Sequence, residues 1–101
     1  MDILQNIKQI VDDKSPQEAL KNLQNLIDKL SMEENHDSRG EAALAAALAE
    51  KGKLLWKSGD KGGAISAYEA SAQADPGGPG SLLLEHSRQI MDFFDPNQLN
   101  P

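Results

Sequence analysis

The sequence predicts an all-α protein of five helices, arranged as two helix-turn-helix pairs followed by a C-terminal capping helix. Two observations support this fold class. Apolar residues recur at helical spacing in five segments that turn residues separate, and the two predicted pairs align with each other at a constant offset. The composition agrees, because the hydrophobic share is 39% while the aromatic share is 4%. We therefore expect one domain whose core consists mainly of Ala, Leu and Ile.

The first predicted unit covers residues 1–32. Its first helix, residues 2–13, is amphipathic, and its second begins at Ser15-Pro16-Gln17-Glu18, a capping box with proline in the first helical position. Apolar residues at helical spacing mark the inner faces of both helices: Ile3, Leu4, Ile7, Ile10 and Val11 in the first, and Ala19, Leu20, Leu23, Leu26, Ile27 and Leu30 in the second.

The second predicted unit covers residues 41–76 and follows an acidic loop at 33–40. A second capping box, Ser38-Arg39-Gly40-Glu41, precedes its first helix. Gly59 is expected to end that helix, Asp60 to cap the next, and Pro76 to terminate the pair. A Gly/Pro linker at 77–80, a capping helix at 81–94 and a tail at 95–101 complete the chain.

The predicted units share one register. Ile7, Ile10, Ala19 and Leu23 each lie 45 residues before Gly52, Leu55, Ala64 and Tyr68. At an offset of 35, Leu48, Gly52 and Leu55 align with Leu83, Ser87 and Ile90. The last helix therefore corresponds to a third first-helix, and we expect it to cover the apolar face that a terminal repeat would otherwise leave open.

Six positions in the second unit carry a family resemblance. The small residues Gly52 and Ala64 are predicted to lie at a close helix crossing, and larger residues surround it; the six positions are Leu48, Gly52, Leu55, Ala64, Tyr68 and Pro76. Their spacing resembles the 34-residue tetratricopeptide repeat. Leu48, Lys51 and Leu55 depart from the Trp, Leu and Tyr of that pattern. The resemblance implies a short right-handed solenoid with a concave protein-binding groove.

The C-terminal stretch IMDFFDPNQLNP extends the resemblance. It is similar to the ending of a group of very short bacterial tetratricopeptide proteins, although Leu99 stands where those have tyrosine and Asp95-Pro96 replaces an Asn-led turn. The group implies a fold and a binding role rather than a defined activity.

Three cations occupy the same register position on successive first-helices. They are Lys8, Lys53 and Arg88, and in the family this position faces the groove. The register places apolar residues on both sides of them: Leu4, Ala49 and Leu84 on one side, and Val11, Trp56 and Met91 on the other. Such a groove suits an acidic or C-terminal peptide of a partner protein. The alternative is that the three cations form a solvated face.

The same register argues against chaperone-tail binding. Asp12 and Asp92 stand near the cations, where carboxylate-clamp members of the family have paired asparagines.

Trp56 is a candidate interface hot spot, with core packing as the alternative. Phe93-Phe94 and Leu99 either seal the last helix or dock into another molecule. Self-association, through this tail or through the open face of the first helix, is therefore the alternative function and would give a weak homodimer instead of a monomer.

The remaining composition excludes several classes of function. A net charge of -6 and a pI near 4.7 argue against nonspecific nucleic-acid binding and anionic membranes. The chain has no cysteine, no span-length apolar run and no signal-peptide pattern, so a cytoplasmic protein is expected. Carboxylates lie close to His36 in the acidic loop, but nothing there fixes the geometry of a metal site. No Ser, Cys or second His is placed to work with His86 in catalysis. We predict no enzyme activity, cofactor or metal.

Overall fold

The computed structural model describes residues 3–12, 15–32 and 38–93 of the chain. Within these ranges the regular elements are five helices: α1 (Ile3–Val11), α2 (Pro16–Ser31), α3 (Ser38–Lys57), α4 (Lys61–Ala74) and α5 (Pro79–Phe93). The predicted all-α class and the five helices are confirmed.

Helix boundaries differ from the predicted ones at two starts. α3 begins at Ser38, so the residues predicted to cap it form its first turn, and α5 begins at Pro79, inside the predicted linker. Proline fits the first turn of a helix because its missing N–H would have no intrahelical partner there. At α2 the prediction holds, since the Ser15 hydroxyl accepts a hydrogen bond from the Glu18 backbone N–H at 3.4 Å.

The α3–α4 turn follows the chemistry of its residues. Gly59 adopts a φ of 94°, a left-handed conformation that glycine reaches without strain. The N–H of Gly59 donates to the Trp56 carbonyl, and that of Asp60 to the Leu55 carbonyl at 2.9 Å, which is a Schellman ending. The Asp60 carboxylate then accepts the Gly63 N–H at 2.9 Å and caps α4.

Helix α3 lies at the centre of the molecule and contacts each of the other four helices. Four alanines, at 43, 45, 47 and 49, are buried along its length. Because alanine side chains are small, neighbouring helices can approach α3 closely from several sides at once. The main cluster of buried side chains joins α1, α2 and α3: Ile7, Ala19, Leu23, Ile27, Ala47 and Leu54.

Two close helix crossings position α4. A methyl group added at Gly52 would lie 2.6 Å from Cδ1 of Tyr68, a residue that is 3% exposed. On the other side of α4, a methyl group at Gly80 would overlap the Ser71 side chain and lie 3.1 Å from the Ala72 nitrogen. The buried Ser71 hydroxyl donates to the Ala45 carbonyl at 2.6 Å. Ser71 therefore lies where α3, α4 and α5 meet.

Helices α1, α3 and α5 run in the same direction. Gly52 meets Tyr68 while Ala45, earlier in α3, meets Ser71, later in α4, so α3 and α4 are antiparallel. The short connection at 75–78 and the contact between α4 and α5 make that pair antiparallel as well. Ile7 of α1 lies near Ala46 and Glu50 of α3, and Val11, later in α1, lies near Leu54 and Lys57, later in α3, so α1 and α3 are parallel. Helix α3 contacts both α1 and α5.

Candidate functional site

A cavity of about 340 Å³ opens between α1 and α3, and we call it the α1–α3 crevice. Ile7, Lys8 and Val11 line it from α1, and Ala46 and Glu50 line it from α3. Ile7 is buried at its base, while Lys8 is exposed at its rim. The crevice thus combines an apolar interior with one cation and one anion.

Of the three predicted groove cations, two have carboxylate partners. Lys53 forms an ion pair with Glu50 at 3.1 Å, and Arg88 forms one with Glu69 at 3.3 Å. No ion pair of Lys8 occurs among the side chains that the structure describes. The positive charge of the predicted ladder is therefore largely compensated, and Lys8 is the cation with the most capacity to attract an anionic group.

The structure places Arg88 and Leu84 against α4. Both line a second cavity, of about 280 Å³, together with Glu69, Ala72 and Gln73 of α4. The α1–α3 crevice brings Lys8 together with the Glu50–Lys53 ion pair, whereas Arg88 forms its ion pair with a different helix. The predicted continuous row of three cations is thus divided between two sites.

A difference in how α3 and α5 pack explains this division. Ala47 is fully buried against α1 and α2, but the residue 35 positions later, Leu82, is 72% exposed. α5 contacts α4 through the face that carries Gly80 and Ser87, which corresponds to the Ala45 and Gly52 face of α3. The same register therefore supports different environments in the two helices.

Other predicted groove residues have distinct placements. Ala49 is only 2% exposed, so it belongs to the packing surface of α3 and offers no surface to a ligand in this conformation. Trp56 is half-buried, and Lys61 Nζ lies 5.5 Å from its ring centroid, a cation–π contact. The side chains of Leu4 and Met91 lie outside the described set.

The predicted packing residues divide into three classes of exposure. Ala19, Leu23, Gly52, Ala64 and Tyr68 are buried. Leu48 and Leu55 are half-buried, and Leu54, which the register did not select, is buried instead. Pro76 is exposed in the turn after α4, where its carbonyl accepts the Ser81 hydroxyl at 2.7 Å.

Sequence reasoning missed Ala46 and Glu50 as crevice residues. The available signal was their spacing of four residues, which puts both on one face of α3.

Glu50 also affects the pKa of Tyr68. Burial raises the pKa of the Tyr68 phenol above its usual 10.0, and the negative charge of Glu50 raises it further. Tyr68 is therefore neutral at physiological pH and acts as a packing residue.

The described part of the chain contains no group of three or more His, Asp or Glu side chains placed to hold a metal ion. His86 is exposed on α5. His36, the acidic loop around it, Phe94 and Leu99 lie outside the described residues, as do the side chains of Asp92 and Phe93. No helix among the described residues is long and apolar enough to cross a membrane.

Comparison of the chain with protein-family models, with curated proteins and with solved structures gives no match. The tetratricopeptide resemblance accordingly remains a prediction from the sequence. The functional argument depends on the crevice and on the helices that form it.

Proposed function

We propose that this protein is a non-catalytic interaction adaptor that binds a peptide segment of a partner protein in a groove whose centre is the α1–α3 crevice. The observation that carries the proposal is the crevice itself: a cavity of about 340 Å³ with apolar walls from Ile7, Val11 and Ala46. The exposed cation Lys8 lies at its rim and has no ion pair among the described side chains. Pockets of this kind hold an apolar anchor residue while a charged neighbour sets its orientation.

The helix arrangement supports a solenoid of tetratricopeptide type as the frame of this groove. The parallel helices α1 and α5 both contact α3, and contacts also occur between helices that are neighbours in the chain. The close crossing of Gly52 with Tyr68 and the burial of Ala64 have the small-residue chemistry that the pattern requires at these positions.

The charges in the crevice define the peptide we expect. Glu50 is already paired with Lys53, so Lys8 supplies the local excess of positive charge. The expected ligand places an apolar side chain in the cavity and an acidic group, from a side chain or a C-terminus, beside Lys8. Because Lys8 is exposed, its ion pair contributes to orientation and association rate more than to affinity.

A random peptide-display library selected against the immobilised chain tests the proposal. Enriched peptides should contain an apolar residue next to an acidic one, and Lys8→Glu should weaken their binding by up to about tenfold, mainly by lowering the association rate. Lys21→Glu, an exposed charge reversal on α2, is the matched control and should bind normally.

A second pair of variants tests the cavity. Ala46→Leu fills the crevice and should abolish peptide binding, whereas Ala42→Leu, on an exposed position of the same helix, should not. The proposal fails if no peptide is enriched, or if the enriched peptides bind all four variants equally.

Self-association remains the second candidate, and one observation favours it. Leu82 is 72% exposed on α5, where an apolar side chain could contact a second copy. Sedimentation over a range of concentrations should then show a dimer that Leu82→Ser dissociates, whereas a monomer at every concentration removes this candidate.

A further inference from the structure

A third cavity lies at the edge of the molecule where the end of α1 and the start of α2 meet the end of α3. Val11, Pro16, Leu54, Lys57 and Ser58 line its volume of about 220 Å³. Leu54 is 8% exposed and forms its base, while Lys57 and Pro16 are exposed at its rim. We call it the turn-edge cavity. Like the α1–α3 crevice, it pairs apolar walls with one cation, and it shares Val11 with the crevice.

The chain itself leaves α5 at this same edge. Gly80 of α5 packs on Ser71, whose hydroxyl reaches the Ala45 carbonyl of α3, so Gly80 and Ala45 lie at one level along the parallel helices. Phe93 lies thirteen residues after Gly80, and Ser58 lies thirteen residues after Ala45. Thirteen residues of α-helix rise about 20 Å. The end of α5 is therefore level with the turn-edge cavity.

The spacing of the helices determines which residue of the tail could enter the cavity. Packed helices lie about 8–10 Å apart, so the line between α1 and α3 is about 12–15 Å from the axis of α5. One residue of extended backbone reaches at most about 3.5 Å, so Phe94, the first residue past α5, cannot cross that gap. Leu99, six residues past α5, extends up to about 20 Å and can.

Charge favours the same segment. The single charged side chain in residues 94–101 is that of Asp95, and among the described residues that line the cavity the one charge is that of Lys57. A tail that crosses from α5 toward α1 passes the end of α3, where Lys57 is located. We propose that residues 95–99 fold across the end of α3 in cis, that Leu99 fills the turn-edge cavity, and that Asp95 pairs with Lys57. This is a contact of the chain with itself, beyond the proposed peptide site.

Disulfide trapping tests the contact, because the chain has no cysteine of its own. The test variant carries Ser58→Cys and Asn100→Cys, which leaves Leu99 in place. The reference variant carries Ser66→Cys and Asn100→Cys; Ser66 is exposed on α4, the neighbour of α5, so an undocked tail reaches it at least as readily. On mild oxidation, the test variant should form its intramolecular disulfide about tenfold faster than the reference.

Substitutions in the test variant identify the groups responsible. Leu99→Ser should lower the rate to that of the reference, and Met32→Ser, at an exposed apolar residue outside the cavity, should leave it unchanged. Lys57→Glu should also slow trapping, whereas Lys29→Glu, exposed on α2, should not. Equal rates in the test and reference variants, or a rate that Leu99→Ser does not change, overturn the proposal. Disulfide-linked dimers in place of the intramolecular product overturn it too, and would identify a second copy as the occupant.

Discussion

The crossing of α3 and α4 gives the most stringent test of the fold, through the substitution Gly52→Ala. The added methyl group would lie 2.6 Å from Cδ1 of Tyr68, and it would also contact Cε1 and Cζ. Tyr68 is 3% exposed, so its ring has no free space into which it can rotate. Overpacking of this kind costs about 1–3 kcal/mol.

An opposing term comes from helix propensity. Alanine is favoured over glycine by about 1 kcal/mol in a helix interior, so the net effect at Gly52 should be a destabilisation of up to about 2 kcal/mol. Gly62 is the matched control, because it also lies in a helix and a methyl group there meets nothing within 4 Å. Gly62→Ala should stabilise the protein by about 0.5–1 kcal/mol.

Urea unfolding followed by far-UV circular dichroism measures both changes. Gly52→Leu should cost more than Gly52→Ala, because a larger side chain must displace the tyrosine ring. In a Tyr68→Leu background the cost of Gly52→Ala should shrink, which identifies the ring as the group that clashes. If Gly52→Ala stabilises the protein as much as Gly62→Ala does, the helices do not cross at Gly52 and the repeat alignment is wrong.

Three further outcomes are expected from single residues. Ser71→Ala removes the buried hydrogen bond to α3 and should cost about 1–3 kcal/mol in the same melts, whereas Ser66→Ala, at an exposed position of α4, should change little. Because the pKa of Tyr68 is raised in the folded protein, the unfolded chain loses the phenolic proton first as pH rises. The contribution of Tyr68 to the free energy of unfolding is therefore complete below about pH 10 and falls above it. Melts at increasing pH should show this fall in stability, and Tyr68→Phe should remove the part of the fall that Tyr68 causes. Asp60→Ala removes the cap of α4 and should cost about 1 kcal/mol, with Glu85→Ala, exposed on α5, as the neutral comparison.

The local elements of this protein could be predicted from its sequence because their causes are local. Ser15 and Asp60 cap the helices that follow them, and Gly59 ends α3, through hydrogen bonds to residues only a few positions away. The small residue at Gly52 and the large one at Tyr68 likewise indicated a close helix crossing. The start of α3 was less predictable, since Ser38 can serve either as a cap or as part of the first turn.

Tertiary packing decided the environment of each helix face. The register treated α3 and α5 as equivalent, yet Ala47 is fully buried and Leu82 is 72% exposed, because α1 and α2 pack against α3 on that side. Because α5 packs against α4, Arg88 pairs with Glu69 of α4. It therefore does not continue the predicted row of Lys8 and Lys53. The sequence by itself determined the five helices, the locally capped boundaries at Ser15, Gly59 and Asp60, and the close crossing at Gly52. Which side chains line the α1–α3 crevice depends on how each helix is rotated against several neighbours at once, and that rotation is set by contacts between residues far apart in the chain.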